Sequence, residues 1–228
     1  MKPAKGDKLV VGLLGGIGSG KSQVAAAFAR QGARIIAGDQ LGQAALRDPD
    51  IRGRIVSRWG EGIVDERGEI DRRGLAAIVF ADPDQRKALE AITHPWIRQR
   101  IRAELEETSK DPRVPLIVLD AAVMLEAGWN EVCDRLVFIE APRAVRLERV
   151  ARQRGWSEKE VEAREQAQLP LTEKAVRADH VLDNSASLEH LNRQVNDLLH
   201  LLGIGPSLLP ERIEPVTRRP SGRVPYIS

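Results

Sequence analysis

The chain has 228 residues, with 35 basic against 33 acidic side chains, and is long enough for one α/β domain with insertions and a buried core. The surplus of +2 comes from residues 203–228, where four arginines face two acids, so the rest is balanced at 31 against 31, which argues against a general nucleic-acid binder. No stretch approaches the length of apolar residues that spans a bilayer, the charged residues 1–8 do not read as a signal peptide, and the lone Cys133 leaves no intramolecular disulfide, so a cytoplasmic protein is expected.

In chain order, the apolar run Leu9 to Leu14 predicts a buried strand. It leads into Gly15-Gly16-Ile17-Gly18-Ser19-Gly20-Lys21-Ser22, a full match to the pattern GxxxxGK[ST], and then into the helical run Gln23 to Ala29. Glycines let the backbone N–H groups of such a loop close around a polyphosphate. Lys21 would reach the β- and γ-phosphates, and Ser22 would offer its hydroxyl to Mg²⁺. The helix that starts near Lys21 points its positive end at the nucleotide. Gln31-Gly32 reads as a helix stop, and Ala33 to Ala37 as a second strand ending at Gly38-Asp39, which completes a βαβ unit. Asp39 therefore stands at the sheet rim where open α/β folds place ligands, with a helix N-cap as its structural alternative.

Residues 48–112 read as an inserted helical domain, punctuated at Asp48-Pro49, Trp59 to Gly62, Glu66 to Gly68 and Asp82-Pro83. Within it, His94-Pro95 predicts a break between two helices, because proline forces the residue before it into an extended or turn conformation. Leu116 to Asp120 and Leu136 to Glu140 are continuous apolar runs ending in acids and suit strands buried on both faces. Asp120 is a candidate metal-side acid or a turn cap. Residues 144–177 predict a charged helical hairpin, with Arg146, Arg149, Arg152 and Arg154 clustered before Gly155; guanidinium groups there could neutralise a transferring phosphoryl group or form a solvated face. His180 to Asp183 is a last short strand and Leu188 to Leu202 a closing helix, after which the proline-rich residues 203–228 predict a poorly ordered tail.

A phosphate loop alone does not separate a small-molecule kinase from a GTPase, a motor ATPase or a nucleotide-sensing regulator. No Asn-Lys-x-Asp guanine signature is present and the body is small for a motor, so a kinase leads. At this point the chain resembles the dephospho-CoA kinase family. The blocks that carry the resemblance are Gly12 to Ser22 with Asp39, Val79-Phe80-Ala81-Asp82-Pro83, Leu89-Glu90-Ala91-Ile92-Thr93-His94-Pro95-Trp96-Ile97, Met124-Leu125-Glu126, and Gln168 to Lys174 leading into Arg177 to Asn184.

The resemblance implies a P-loop α/β fold with a parallel-sheet nucleotide core (8–47, 113–143 and 178–202), a helical substrate domain (48–112) and a helical lid (144–177). It implies transfer of the γ-phosphate of ATP to the ribose 3′-hydroxyl of dephospho-CoA with Mg²⁺, by a monomer or weak homo-oligomer that needs neither nucleic acid nor membrane. Asp39, Lys21 and Arg149 would be catalytic, with Asp39 also on the substrate. ATP would be held by residues 15–23, namely Gly15, Gly16, Ile17, Gly18, Ser19, Gly20, Lys21, Ser22 and Gln23, together with Arg152 and, beside the adenine, Asn184. His94 and Glu126 would contact the coenzyme substrate, and Ser22 the metal. The family often has Asp-Ala-Asp where Ala37-Gly38-Asp39 stands here, and its lid arginine four places after Arg149 falls on Gln153. A kinase for another small hydroxyl acceptor and a non-catalytic nucleotide-binding regulator remain the rival readings.

Overall fold

A computed structural model describes residues 8–204. Five parallel strands form one sheet: β1 (Val10–Gly15), β2 (Arg34–Ala37), β3 (Ile117–Asp120), β4 (Arg135–Glu140) and β5 (His180–Asp183), in the order β2-β3-β1-β4-β5. The register aligns Gly12 with Leu119 on one side and Leu136 on the other, and it aligns Ala37 with Asp120, so β1, β2 and β3 end at one rim. The order reverses about β1, whose outgoing loop opens at that switch point; here open α/β sheets bind ligands.

Alternation along the strands divides the core between the two faces. Val11, Leu13, Val118, Val137 and Ile139 pack under α1 (Lys21–Arg30) and α9 (Leu188–Leu201). Val10, Leu14, Ile36, Ile117, Leu119 and Phe138 face the other way, toward α2 (Gly38–Ala45), α3 (Pro49–Trp59), α4 (Arg72–Ala81) and α5 (Pro83–Ser109). All six residues of β1 are buried, as an interior parallel strand requires. Gly12 sits on the second face with no room for a side chain: a Cβ there would lie 2.7 Å from Cys133 Sγ and from Met124 Sδ.

The inserted domain follows its punctuation closely. Asp48 and Asp82 cap α3 and α5, each with Pro at the first helical position, and Asp71 caps α4. Residues 64–70 form a tight turn closed by an antiparallel bridge between Val64 and Ile70. The expected break at His94-Pro95 does not occur: α5 runs through Pro95 for 27 residues. Ile92, Ile97 and Ile101 are buried in the core, while Pro95 is on the exposed side, where the Ala91 carbonyl it deprives of a partner can meet water. Burial on one face thus outweighs the ~3 kcal/mol that interior proline costs.

The expected lid hairpin is three helices, α6 (Arg143–Arg154), α7 (Glu158–Glu165) and α8 (Leu171–Val176). Gly155, at φ +68°, stops α6, and a Ser157–Glu160 capping box starts α7. The last helix, α8, turns back against β1, because Leu171 and Ala175 give it an apolar face. Of the expected tail, Ile204 is buried against α9 and closes its C-terminus; residues 205–228 lie outside the described residues. No described helix is long and apolar enough to cross a membrane.

Candidate active site

The glycine loop wraps from β1 to α1. Gly20 caps α1 at φ +87°, a conformation that L side chains avoid, and a Cβ there would lie 2.2 Å from Asn184 Nδ2. Among the described residues, the backbone N–H groups of Gly18, Gly20, Lys21 and Ser22 find no protein acceptor. Four unsatisfied donors at a helix N-terminus form a cradle for an anion. Lys21 Nζ meanwhile donates to the carbonyl oxygens of Gly15 (3.1 Å) and Gly16 (3.4 Å). Burial lowers its pKa; Asp120 and Asp39 work in the opposite direction, while Lys174 and Arg154 add to the lowering. An arriving polyphosphate would supply the negative charge that this ammonium lacks.

A cleft of about 500 Å³ opens over the loop, lined by Gly16, Ile17, Gly18 and residues 20–23 of the loop, by Asp39 and Asp120, and by Arg149, Arg152 and Arg154. The sheet rim positions both acids. Asp120 ends β3, and its Oδ2 accepts from Ser22 Oγ at 3.4 Å. Burial raises the Asp120 pKa and Asp39 raises it further, against Lys21 and the Ser22 hydroxyl. A cation between these groups would relieve that strain on the carboxylate. Asp39 lies in the first turn of α2, not at its cap, which is Ala37; its exposed carboxylate has no protein hydrogen-bond partner among the described residues. The N-cap alternative for Asp39 is thereby set aside.

The four lid-base arginines divide into distinct roles. Arg149 donates to the Asn184 carbonyl (2.8 Å) and the Ser19 carbonyl (3.4 Å), so it stands at the loop. Arg152 and Arg154 face the cleft on either side of Gln153. Arg146 is buried, donates to the Ile17 carbonyl at 3.1 Å and pairs with Glu165, so it ties α6 to the back of the loop. Farther out, Arg154 lies 4.9 Å from the Trp156 ring centroid, and Arg164 stacks between Trp156 (3.9 Å) and Phe80 (5.0 Å). That stack joins α7 to the end of α4.

Three of the expected contact residues lie outside the lining of the cleft. Asn184 is buried, and its Nδ2 donates to the Ser19 carbonyl (2.8 Å) and to Gln23 Oε1 (3.4 Å); it braces the loop from behind and does not line the cleft. Glu126 is exposed and accepts at Oε1 from the Leu169 N–H (2.8 Å) and Lys174 Nζ (2.9 Å). His94 is not gathered with Asp39. It stands edge-on to Trp129, ring centroids 5.3 Å apart, in a separate hollow along α5, its pKa lowered by burial and by Arg98 against Glu90.

Sequence reasoning gave Lys174 no role. Its side chain is 2% exposed, and Nζ meets Glu126 Oε1, Gln168 Oε1 (2.9 Å) and the carbonyl of Ala122 (3.3 Å), a residue of the cleft wall. A lysine three places after Leu171 and four before Ala178, on the apolar side of a short helix, was the available signal.

Comparison with known proteins follows the same lines as the geometry. The family model described as dephospho-CoA kinase matches residues 9–190. A curated dephospho-CoA kinase from Geobacter sulfurreducens is 40% identical over 83% of this chain and 96% of its own, and one from Geobacillus kaustophilus is 38% identical over 84% and 95%. Among solved structures, TT1252 from Thermus thermophilus superposes with a TM-score of 0.73 at 37% identity, covering 86% of this chain and 98% of that one. The dephospho-CoA kinase of Campylobacter jejuni (TM-score 0.63, 22% identity, covering 85% and 96%) shares the fold. With its match running through the glycine loop, the acid pair and the lid, this chain belongs to the dephospho-CoA kinase family.

Proposed function

We propose that the cleft performs the family's reaction with Asp39 as the acceptor-side base, Lys21 and the lid arginines as the charge-compensating groups, and Mg²⁺ as the metal. The chain is an ATP-dependent kinase, and such kinases use the nucleotide with a divalent metal. The observation that carries the residue assignment is the convergence of one unengaged carboxylate, Asp39, with a phosphate cradle of free N–H groups in one cleft.

In this reading the triphosphate takes the four free N–H groups, and Lys21 exchanges the Gly15 and Gly16 carbonyls for phosphate oxygens. The ribose 3′-hydroxyl of dephospho-CoA donates its hydrogen bond to Asp39 and attacks the γ-phosphorus in line. The new O–P bond forms as the bridging O–P bond to the β-phosphate breaks, the hydroxyl proton passes to Asp39 and then to water, and ADP leaves. Arg149, Arg152 and Arg154 meet the charge on the transferring group. Ser22 Oγ and Asp120, hard oxygen donors 3.4 Å apart, fit a small divalent cation that keeps most of its other ligands as water and phosphate. When bound, Mg²⁺ would neutralise phosphate charge at the β- and γ-oxygens. The nucleotide substrates and the single cysteine support a cytoplasmic location.

The test is purified protein with ATP, Mg²⁺ and dephospho-CoA, following ADP release and coenzyme A by mass. Coenzyme A should form, and Asp39→Asn should lower kcat by two orders of magnitude or more while ATP affinity stays within threefold. Loss of ATP affinity with little change in kcat would make Asp39 a structural residue.

A further inference from the structure

A smaller pocket lies at the edge of the helical domain, between the end of α2, the start of α3, the turn at residues 65–69 and the start of α4. It measures about 180 Å³, and Arg47, Arg52 and Arg72 line it together with Gln43, over the apolar Leu46 and Ile70. Among the described residues none of the three guanidinium groups pairs with a carboxylate. Arg52 Nε donates to the Gly68 carbonyl at 2.7 Å, which orients the group and leaves its outer amino groups unused; Arg72 reaches Gln43 Oε1 at 3.5 Å. Glu69 is the one acid in the lining, so three positive charges face one negative.

The pocket's position relative to the cleft follows from helix periodicity. Asp39, Gln43 and Arg47 are four residues apart, and all three are exposed, whereas Leu41 and Ala45 on the opposite face are buried. Asp39 and Gln43 make one stripe along α2, ~6 Å apart at the helical rise per residue, and Arg47 follows in the turn just past the end of the helix. A substrate whose hydroxyl rests on Asp39 and whose body follows this stripe meets Gln43 and then the arginines. Guanidinium groups bind phosphate oxygens in pairs and hold that charge at every physiological pH.

Resting on the function proposed above, we infer that this arginine pocket is the subsite for the 5′-diphosphate arm of the acceptor nucleotide. Its apolar lining takes the first atoms of the chain esterified to that diphosphate. The pocket is therefore the element that selects a nucleotide carrying a substituted 5′-diphosphate over a bare nucleoside with the same 3′-hydroxyl.

Steady-state kinetics with two acceptors, dephospho-CoA and adenosine, test it. Arg47→Gln, Arg52→Gln and Arg72→Gln should each raise KM for dephospho-CoA by about 10-fold or more, the loss of one charge-assisted hydrogen bond, with kcat and KM for ATP within twofold. Rates with adenosine should not move, and Glu69→Gln should lower KM for dephospho-CoA. Arg52→Lys, which keeps the charge, guards against a local folding defect, and melting curves of all variants should overlay the wild type. If the wild type turns over dephospho-CoA and all three KM values stay put, the subsite is wrong while the function stands. An equal loss with adenosine, or a fall in kcat alone, would make the arginines structural and also sink it. A wild type inactive on dephospho-CoA would overturn both readings at once.

Discussion

Replacing Gly18 by alanine separates two effects that the structure makes calculable. Gly18 has φ +76°, so any side chain there costs roughly 1–2 kcal/mol in backbone conformation alone. Its added Cβ would also lie 2.4 Å from the Arg146 carbonyl oxygen and 2.8 Å from Val150 Cγ2, so α6 must move away from the loop, a further ~1–3 kcal/mol. The sum is a destabilisation of about 2–5 kcal/mol. Gly53→Ala is the matched control of opposite sign: Gly53 lies mid-helix in α3, with nothing within 4 Å of the added Cβ, and should gain about 0.5–1 kcal/mol. Urea unfolding of both variants measures the pair, and ATP titration should show Gly18→Ala binding more weakly because Arg149 and Val150, on the displaced helix, line the cleft. A Gly18→Ala protein within 0.5 kcal/mol of wild type, with unaltered ATP binding, would refute the claim that the loop and the lid base are packed against one another.

The pairing of buried Lys174 with exposed Glu126 gives another expectation. Glu126→Leu leaves the buried ammonium without its carboxylate and should cost about 3–5 kcal/mol in denaturation, whereas the double variant Lys174→Met/Glu126→Leu should recover part of it. Equal losses in the single and double variants would show that no coupling exists. Burial, with Asp134 beside it, pushes the Cys133 thiol up to about 12. The unfolded chain therefore loses this proton first, and stability falls as pH rises from about 9 toward 12, by at most ~1.4 kcal/mol per pH unit. The difference in urea stability between wild type and Cys133→Ala, measured at pH 8 and pH 10.5, isolates this contribution, and a constant difference would contradict it. Finally, Asn184→Ala removes the amide that holds the Ser19 carbonyl and should raise KM for ATP several-fold with adenine and hypoxanthine nucleotides alike; an effect confined to adenine would return Asn184 to the base.

The sequence carried the local half of this molecule. The strand-loop-helix around Lys21, the rim position of Asp39 and the Asp-Pro helix starts were legible because each depends on neighbours within a few residues. The unbroken α5 was not, since it depends on which side of the helix Pro95 falls relative to a core built by distant strands. Strand order was equally out of reach: β1 pairs with residues more than 100 positions away, and nothing in an apolar run names its partner. The site shows the same division. Loop residues and cleft acids were readable from motif and rim, whereas the bonds of Asn184 to Ser19 and of Glu126 to Lys174 are a matter of tertiary contact.

The strand order also has a consequence for how the chain is made. Among the described strands β1 is made before the others, yet its two sheet neighbours begin at Ile117 and Arg135, and β2, the strand that follows it, pairs only with β3. At a translation rate of roughly 5–20 residues per second, a six-residue apolar strand waits about 5–20 s for a partner. The phosphate loop it carries gains the β3 acid only once residue 120 has emerged, and its full set of cleft arginines from α6 only at residue 154. The assembled cleft therefore waits for the chain to extend through α6, and a nascent fragment that ends before β3 would carry the motif without the site.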